Sequence, residues 1–409
     1  VFLVHGAATT VDRFWFLVTF ANFILFYNLQ KRIVTNTFPV IEAEDPTYLY
    51  EQDIHEDEIE EKDEDGTDVK KKSKRSFKRR YKPHAGTSML IIAEPRDDPI
   101  SNGVRFGGWR RVSCEGMNVR SLGYLQHKKK IQAPGDLYDC AQCDIFEGPV
   151  RYPDMALRVR LPPTNFDDGP DFVKTWRCPD TFIVSIAIPT EIPKLGKATN
   201  DGPGYTITFY FTMRQEMRDI LKRVTAPGYN PLTDEQNIDQ NTSIVNGVKL
   251  FEEWCRRAPT DPKFQSRFKL IPNAHNLKEI GVPGWITRYN AKPILIKRAG
   301  ETGILYSHPE LSCMEFDVSL HPFPYLAKQG IMYLKGKLFK EILVTFGFCI
   351  EGRSDEELPE VLIGQAQLCY PDPAIAIQAE NFFSSTSPKS FTLDDPKEEN
   401  EETAQLTEN

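Results

Sequence analysis

Two carboxylates in one short apolar segment are the residues best suited to do chemistry. Glu315 and Asp317 alternate with Met314, Phe316 and Val318. In a β-strand, residues two positions apart project from the same face at roughly 7 Å, which suits a bound cation or an acid–base pair. A polar face turned to solvent, opposite an apolar face, explains the same alternation without chemistry. We favour this second interpretation.

A second candidate is a single Cys-x-x-Cys motif, Cys140 and Cys143. A zinc site needs another such pair or nearby histidines, and none follows at a suitable spacing. Residues three apart in a strand also project to opposite faces, so we expect no metal site here. Eight cysteines in 409 residues are too few for a disulfide framework, and we expect buried free thiols.

A dense acidic turn is the third candidate. Glu351 and Arg353 are followed by the sequence EELPE at 356–360, and we expect a solvated loop. The sequence has no nucleophile elbow, phosphate-binding lysine loop, dinucleotide-binding glycine loop or HExxH motif. We therefore expect a non-enzymatic protein without a cofactor or metal. A hydrolase or transferase that uses Glu315 and Asp317 is the least favoured alternative.

The elements that must position these residues are mostly strands. The alternation and the β-branched and aromatic content predict strands at 117–125, 137–146, 181–188, 205–212, 293–298, 314–320 and 341–350. Apolar spacing predicts helices at 247–258, with Asn246 as N-cap, and at 327–338. We expect the polar segment 225–246 to be a surface insertion. This order favours an α+β fold, an antiparallel β-sheet or sandwich with two to three packed helices.

The charges are concentrated outside this body. Residues 41–69 hold fourteen acids and one base, residues 70–82 hold nine bases and no acid, and 83–383 carry a net charge of −1. Such blocks predict disorder, so we expect a disordered linker at 33–105 and a disordered acidic tail at 384–409. The bases are candidates for binding anionic membrane lipids: Lys70, Lys71, Lys72, Lys74, Arg75, Lys78, Arg79, Arg80 and Lys82. They could instead neutralise the acidic block or act as a nuclear address, and we expect no nucleic-acid partner.

An apolar segment at 14–27 lies between charged flanks. It is shorter than the ~20 residues of a full membrane span, so residues 1–32 are either a short membrane anchor or a segment that packs on upstream sequence. If the segment spans, the flanking Lys31 and Arg32 favour a cytosolic location for the rest of the chain. We expect a membrane-associated protein with the bulk of its chain in the cytosol.

Several short motifs occur in a specific order along the body. They are Val119-Arg120, Tyr124-Leu125, Lys128-Lys129-Lys130, RFKLIP at 267–272, Gly284-Trp285, Glu315-x-Asp317, EGR at 351–353 and ELPE at 357–360. Over about residues 106–383, this ordered set resembles the C-terminal domain family of the plant protein Enhanced Disease Resistance 2. The matching motifs supply the family-motif candidates, which are Arg267, Lys269, Trp285, Glu315, Asp317, Glu351, Arg353, Glu357 and Glu360.

The resemblance implies membrane-linked lipid biology. Plant relatives join this domain to a phosphoinositide-binding pleckstrin-homology domain and a START lipid-transfer domain, and they act as negative regulators of defence. Neither upstream domain is visible in this sequence, so the defence role and the phosphoinositide specificity are not carried over.

The leading hypothesis is a non-enzymatic, membrane-associated lipid-binding or lipid-regulatory protein. The alternative is a soluble protein-interaction scaffold whose basic run is a nuclear address. A lipid-binding module should contain an apolar cavity on the order of several hundred Å³, whereas a scaffold should be packed solid.

Overall fold

The computed structural model describes residues 82–92, 107–230 and 242–384, with gaps at 115, 167, 169–171 and 195–199, and four two-residue strands outside these ranges. The chain divides into two units, Val1–Arg79 with Lys389–Asn409, and Arg80–Pro388. In the first unit, Lys78–Arg79 pairs antiparallel with Lys389–Ser390. The second unit is called the body below. The predicted anchor at 14–27 and most of the predicted linker and tail lie outside the described residues.

The body is built mainly from strands. In chain order these are β1 (Gly108–Arg110), β2 (Asn118–Arg120), β3 (Lys130–Gln132), β4 (Tyr138–Gly148), β5 (Thr181–Pro189), β6 (Gly204–Met213), β7 (Phe268–Ala274), β8 (Ile294–Leu295), β9 (Gly303–His308), β10 (Cys313–Ser319), β11 (Leu343–Ile350), β12 (Leu362–Cys369) and β13 (Ile377–Gln378). A further short pair joins Ile100–Ser101 to Val104–Arg105.

The helices are fewer and mostly short. They are α1 (Tyr124–His127), α2 (Gln215–Val224), α3 (Thr242–Arg257), α4 (Pro262–Gln265), α5 (Gly284–Thr287), α6 (Tyr325–Lys337) and α7 (Ala379–Ser384). Among the described residues, only α2, α3 and α6 have ten residues or more.

The first sheet has five antiparallel strands in the order β8–β7–β11–β12–β1. Its central strand β11 lies within the segment 341–350 that was predicted to be a strand. On β7, Phe268 and Leu270 enter the main core, whereas Ile271 belongs to a small cluster with Met117 and Cys349. Because successive side chains of a strand project to opposite faces, this cluster lies on the outer face of the sheet.

The second sheet has six strands in the order β9–β10–β5–β6–β4–β13. Its central pairs are antiparallel, but β10 runs parallel to β5 and β13 runs parallel to β4. The strands β5 and β6 are buried along nearly their whole length. This is the pattern expected of strands that are covered on both faces.

Aromatic side chains join the two sheets. Phe268 of the first sheet stacks on Phe316 of the second with ring centroids 4.0 Å apart, and Phe209 meets Phe348 at 5.8 Å. Trp254 of α3 packs against Phe268 and Phe316 at the same core. The architecture is therefore an α+β sandwich, as the sequence predicts.

Several local predictions were wrong. The segment 117–125 is not one strand but forms the short strand β2, which pairs with β3, and then α1. The helix α3 begins at Thr242, so Asn246 lies inside it and donates a hydrogen bond to the Leu358 carbonyl instead of capping the helix. The segment 293–298 contains only the two-residue strand β8.

The predicted linker also contains residues that pack on the body. Met89 is buried in the main core, and the backbone amides of Gly86 and Ser88 donate to the carboxylate of Asp144 at 2.7 and 2.8 Å. Because these bonds lie between residues more than fifty positions apart, the body begins well before residue 106.

The cysteines of the body are free thiols, as predicted, and all except Cys114 are buried. The geometric argument for Cys140 and Cys143 was wrong, however. A bulge between Cys140 and Gln142 changes the strand register, and both cysteines enter the same core cluster.

Candidate functional site

Six of the nine family-motif candidates meet on the outer face of the five-stranded sheet. Lys269 lies on strand β7, and Arg267 immediately precedes the first residue of this strand. The segment from the end of β11 to the start of β12 supplies the others. Together with Arg120 of β2 they form one set of ion pairs, called the charge network below: Arg120, Arg267, Lys269, Glu351, Arg353, Glu357 and Glu360.

The centre of the charge network is a buried ion pair. Lys269 Nζ lies 2.5 Å from Glu360 Oε2, and the two residues are 4% and 1% exposed. The other lone pairs of Glu360 accept hydrogen bonds from the backbone amides of Gly352, at 3.0 Å, and Arg120, at 3.2 Å. A buried carboxylate costs stability unless it is paired in this way, and here every partner is in place.

Glycine at 352 allows the turn to close. A Cβ at this position would lie 2.9 Å from the Glu357 carbonyl oxygen and 2.8 Å from the Leu358 side chain. The close approach brings the Gly352 amide to Glu360, so the EGR and ELPE motifs act together.

The outer part of the charge network has three further ion pairs. Glu351 accepts from Arg120 Nη2 and Arg353 Nε, each at 2.8 Å, and Arg267 Nη1 donates to Glu357 at 2.9 Å. Burial alone would raise the pKa of Glu351, but the hydrogen bond from Arg353 and the nearby positive charges outweigh it and lower the pKa. The predicted solvated acidic turn was therefore wrong, because Glu351 and Glu360 are buried among cations.

The charge network also holds the β2–β3 hairpin, defined as residues 118–132. Arg120 Nη1 donates to the Gly352 carbonyl at 2.8 Å, and Gln126 donates to Asp355 at 2.9 Å. The base of the hairpin is buried through Met117, Val119 and Ala133, which pack on the outer face of the sheet. The sequence motifs around 119–130, 267–272 and 351–360 are thus one structural unit.

The outer side of this hairpin exposes both apolar side chains and lysines. Leu122, Leu125 and Ile131 are 62%, 39% and 41% exposed, and every residue from 125 to 132 is exposed. Lys128 lies over the Tyr124 ring, with Nζ 5.5 Å from its centroid, and Arg120 lies over it at 4.9 Å. Within the described part of the chain, no carboxylate lies within ion-pair distance of the three lysines at 128–130.

These hairpin residues were quoted in the family motifs but were not selected as site candidates. A signal for them exists in the sequence, since residues 117–135 contain four bases, one histidine and no acid. Their exposure could not be read locally, because leucine and isoleucine usually indicate core positions.

The two remaining carboxylates, Glu315 and Asp317, lie elsewhere, on β10 in the six-stranded sheet. They share a face, as predicted, but they are buried rather than solvated. Glu315 accepts from the Ala156 amide at 2.9 Å and from the Ser185 hydroxyl at 3.2 Å. The turn Met155–Leu157 covers this face, which strand alternation alone could not reveal.

The pKa values of Glu315 and Asp317 are raised. Burial raises the pKa of both carboxyls, and for Asp317 the neighbouring charge of Glu315 and the hydrogen bond between the two side chains raise the pKa further. Perturbed carboxyls of this kind occur in active sites and also in structural clusters.

The space beside the pair is very small. A cavity of about 10 Å³ is lined by Asp317 and Ser319 together with Arg151, Tyr152, Ser185, Ala187, Thr206 and Val318. Asp317 Oδ1 and Ser319 Oγ are buried there without a partner. This volume admits about one water molecule, so the cavity has room to hydrate these atoms but not to admit a substrate.

The other candidates do not join the charge network. Trp285 lies on α5, and its ring is 3.6 Å from the position of a Cβ on Gly330 of α6. Of the basic run, only Lys82 has a described side chain, which is half-buried; burial lowers its pKa and the charge of Asp154 partly offsets this. The side chains of the other eight bases lie outside the described residues.

The described residues contain neither a membrane-spanning helix nor a metal-binding cluster. None of the described helices is both long and apolar enough to cross a bilayer. No group of three or more His, Cys, Asp and Glu side chains in these residues could hold a metal ion.

Comparison with known proteins identifies the family. A comparison with curated proteins and one with solved structures gave no match. A family model, described as Protein ENHANCED DISEASE RESISTANCE 2, C-terminal, matches residues 109–372. The match spans well over half of the chain and includes the whole charge network and the β2–β3 hairpin. The chain therefore belongs to the family of the Enhanced Disease Resistance 2 C-terminal domain.

Proposed function

We propose that the protein is a non-enzymatic domain that associates with anionic membrane lipids by surface contact, with the bulk of its chain on the cytosolic side. The observation that carries the proposal is the exposed lysine triplet at 128–130 beside exposed apolar side chains. Anionic membrane surfaces attract clustered bases, each worth about 1 kcal/mol near the surface. The nine bases at 70–82 would add to this attraction.

The non-enzymatic part of the proposal rests on the carboxylates. The carboxylates of the charge network are paired with arginine or lysine, and Asp317, the neighbour of Glu315, lines a cavity of about 10 Å³. A general acid or base must be within hydrogen-bonding reach of its substrate. The charge-network carboxylates already accept from cations, and the cavity beside Asp317 is too small for a substrate.

Surface contact is favoured over an enclosed lipid for a related reason. A site that envelops a lipid would need a volume on the order of several hundred Å³, far more than the cavity beside Asp317. The core between the sheets is filled by stacked aromatic rings, including Phe268 and Phe316 at 4.0 Å. Such packing favours binding of a partner at the surface of the body rather than in an internal cavity.

The same packing supports a second candidate, a soluble protein-interaction scaffold with the basic run as a nuclear address. The two candidates differ in one property. A scaffold of this kind needs no affinity for lipid, whereas a membrane-associated domain must bind vesicles in the absence of any other protein.

Flotation of the full chain with vesicles separates them. We expect binding to phosphatidylcholine vesicles that contain phosphatidylserine and little binding to phosphatidylcholine alone. The variant K70Q/K71Q/K72Q should bind more weakly than the matched variant K263Q/K278Q/K297Q, which removes three exposed lysines from the body. Absence of flotation with every anionic composition would contradict the proposal and favour the scaffold.

A further inference from the structure

The β2–β3 hairpin combines cations and exposed apolar groups on one preformed element. Its sequence from 117 to 135 has no acidic residue, although the body as a whole is almost neutral. The exposed side chains of Leu122, Leu125 and Ile131 interrupt the basic residues. Three exposed aliphatic side chains thus share one short element with four bases, the combination by which amphipathic segments bind membrane surfaces.

Internal hydrogen bonds hold the hairpin in shape. Ser121 Oγ donates to the Lys129 carbonyl at 2.9 Å, and the Lys129 amide donates to His127 Nδ1, also at 2.9 Å. The other ring nitrogen of His127 lies 2.9 Å from the Leu122 carbonyl oxygen. A binding element that is already ordered loses little conformational entropy when it meets its partner.

The charge network determines which cations remain available. Arg120 is committed to Glu351 and Glu360, so its charge is already paired. Lys128 is partly used within the hairpin, because its Nζ donates to the Leu125 carbonyl at 2.7 Å. Lys129 and Lys130 are exposed and form no ion pair with any carboxylate in the described ranges.

We propose that the exposed side of residues 118–132 docks the body onto an anionic lipid bilayer, with Leu122 and Leu125 entering the interface and Lys129 and Lys130 facing the phosphates. This inference rests on the proposed function and names the surface that performs it. The bilayer accounts for both parts of the surface at once, since acyl chains accept the leucines while lysine ammonium groups reach the headgroups.

Other anionic partners would explain the exposed lysines of the hairpin but not its exposed leucines. A nucleic acid would pair with the lysines through its phosphates, but aliphatic side chains provide no stacking platform for bases. The leucines would then remain exposed to water. The bilayer is therefore the occupant to which we commit, and single-stranded RNA is a comparison in the test.

The test uses the full chain and two hairpin variants. K129E/K130E reverses the free cations, and L122S/L125S removes the exposed leucines. The matched controls are K278E/K297E, which makes the same charge change at exposed lysines, and I192S/L326S, which removes two exposed apolar side chains. All eight substituted positions are exposed, so we expect every variant to fold. Circular dichroism and thermal unfolding check this for each variant.

We expect each hairpin variant to lose about tenfold or more in affinity for phosphatidylserine-containing vesicles, while each control changes less than about threefold. An environment-sensitive fluorophore on L125C should shift to the blue when these vesicles are added, and the same fluorophore on I192C should not. The wild-type chain, labelled in parallel, corrects for native thiols.

The outcomes separate the inference from the proposed function. If the wild-type chain floats but the hairpin variants float equally well, the inference is overturned and the proposed function stands. If the wild-type chain does not float, both fail. If K129E/K130E loses binding to single-stranded RNA while vesicle binding is unchanged, the hairpin binds nucleic acid and the inference is overturned.

Discussion

Lys269 and Glu360 form a 2.5 Å ion pair beneath the β2–β3 hairpin, and both side chains are almost fully buried. The pair joins two motifs that are ninety-one residues apart in sequence. Removing one partner would leave the other charge buried without compensation. The pair therefore links the family motifs to the stability of the body.

E360A should lower the free energy of unfolding by about 3–5 kcal/mol, because it strands the Lys269 ammonium and two backbone amides. Urea denaturation at neutral pH measures the change. E301A is the control, since the pair between Arg298 and Glu301 is exposed and should contribute about 0–1 kcal/mol. Equal effects of the two substitutions would contradict the role assigned to the pair.

R120M should loosen the hairpin more than the body. Arg120 donates to the Gly352 carbonyl and to Glu351, and it lies over Tyr124. Hydrogen–deuterium exchange of residues 121–129 should become roughly tenfold faster, as expected when a local element loses its anchoring contacts. K130M, at an exposed position, is the control, and unchanged exchange in R120M would show that Arg120 does not anchor the hairpin.

Asp136 gives a pH dependence with a defined sign. Burial raises its pKa to about 6, although hydrogen bonds from Gln365 and Cys114 oppose the shift. Because the folded state holds the proton more tightly than the unfolded state, the contribution of this group to stability is present at low pH and falls as pH rises from about 4 to about 6.

D136N removes this titration. Relative to the wild type, it should gain about 3 kcal/mol in unfolding free energy between pH 4 and pH 7, the equivalent of about two pKa units. Urea denaturation at the two pH values measures the difference. A constant offset between the two proteins at both pH values would show that Asp136 has an ordinary pKa.

The Glu315–Asp317 pair provides a test of the enzymatic alternative. The pKa of Asp317 is raised by burial and by Glu315, so D317N should be more stable than the wild type at pH 8 and similar to it near pH 3. Thermal unfolding at both pH values checks this. A large loss of a hydrolase or transferase activity in D317N, with the fold intact, would instead support the catalytic interpretation.

Strands and helices could be predicted where the sequence pattern that defines them lies within a few consecutive residues. The segments 181–188 and 205–212 are rich in β-branched and aromatic residues, and their strands were predicted correctly from that composition. The helix α2 was missed even though its buried Met217, Ile220 and Leu221 have helical spacing. The apolar spacing that predicts this helix is therefore present in the sequence.

The candidate site was less predictable because its contacts are distant in sequence. Arg120 and Glu351 are 231 residues apart, and no local pattern states that they pair. Glu315 and Asp317 have the alternation of a solvated face, but the turn Met155–Leu157 covers them. Polar alternation defines a shared face of a strand, and only the tertiary structure decides what covers that face.

The most direct test of surface docking is a titration of the full chain with vesicles of increasing phosphatidylserine content, at low and at high salt, for the wild type and K129E/K130E. We expect wild-type affinity to rise with anionic lipid and to fall with salt, and the variant to respond weakly to both. Identical binding curves for the two proteins would contradict the claim that the β2–β3 hairpin contacts the membrane.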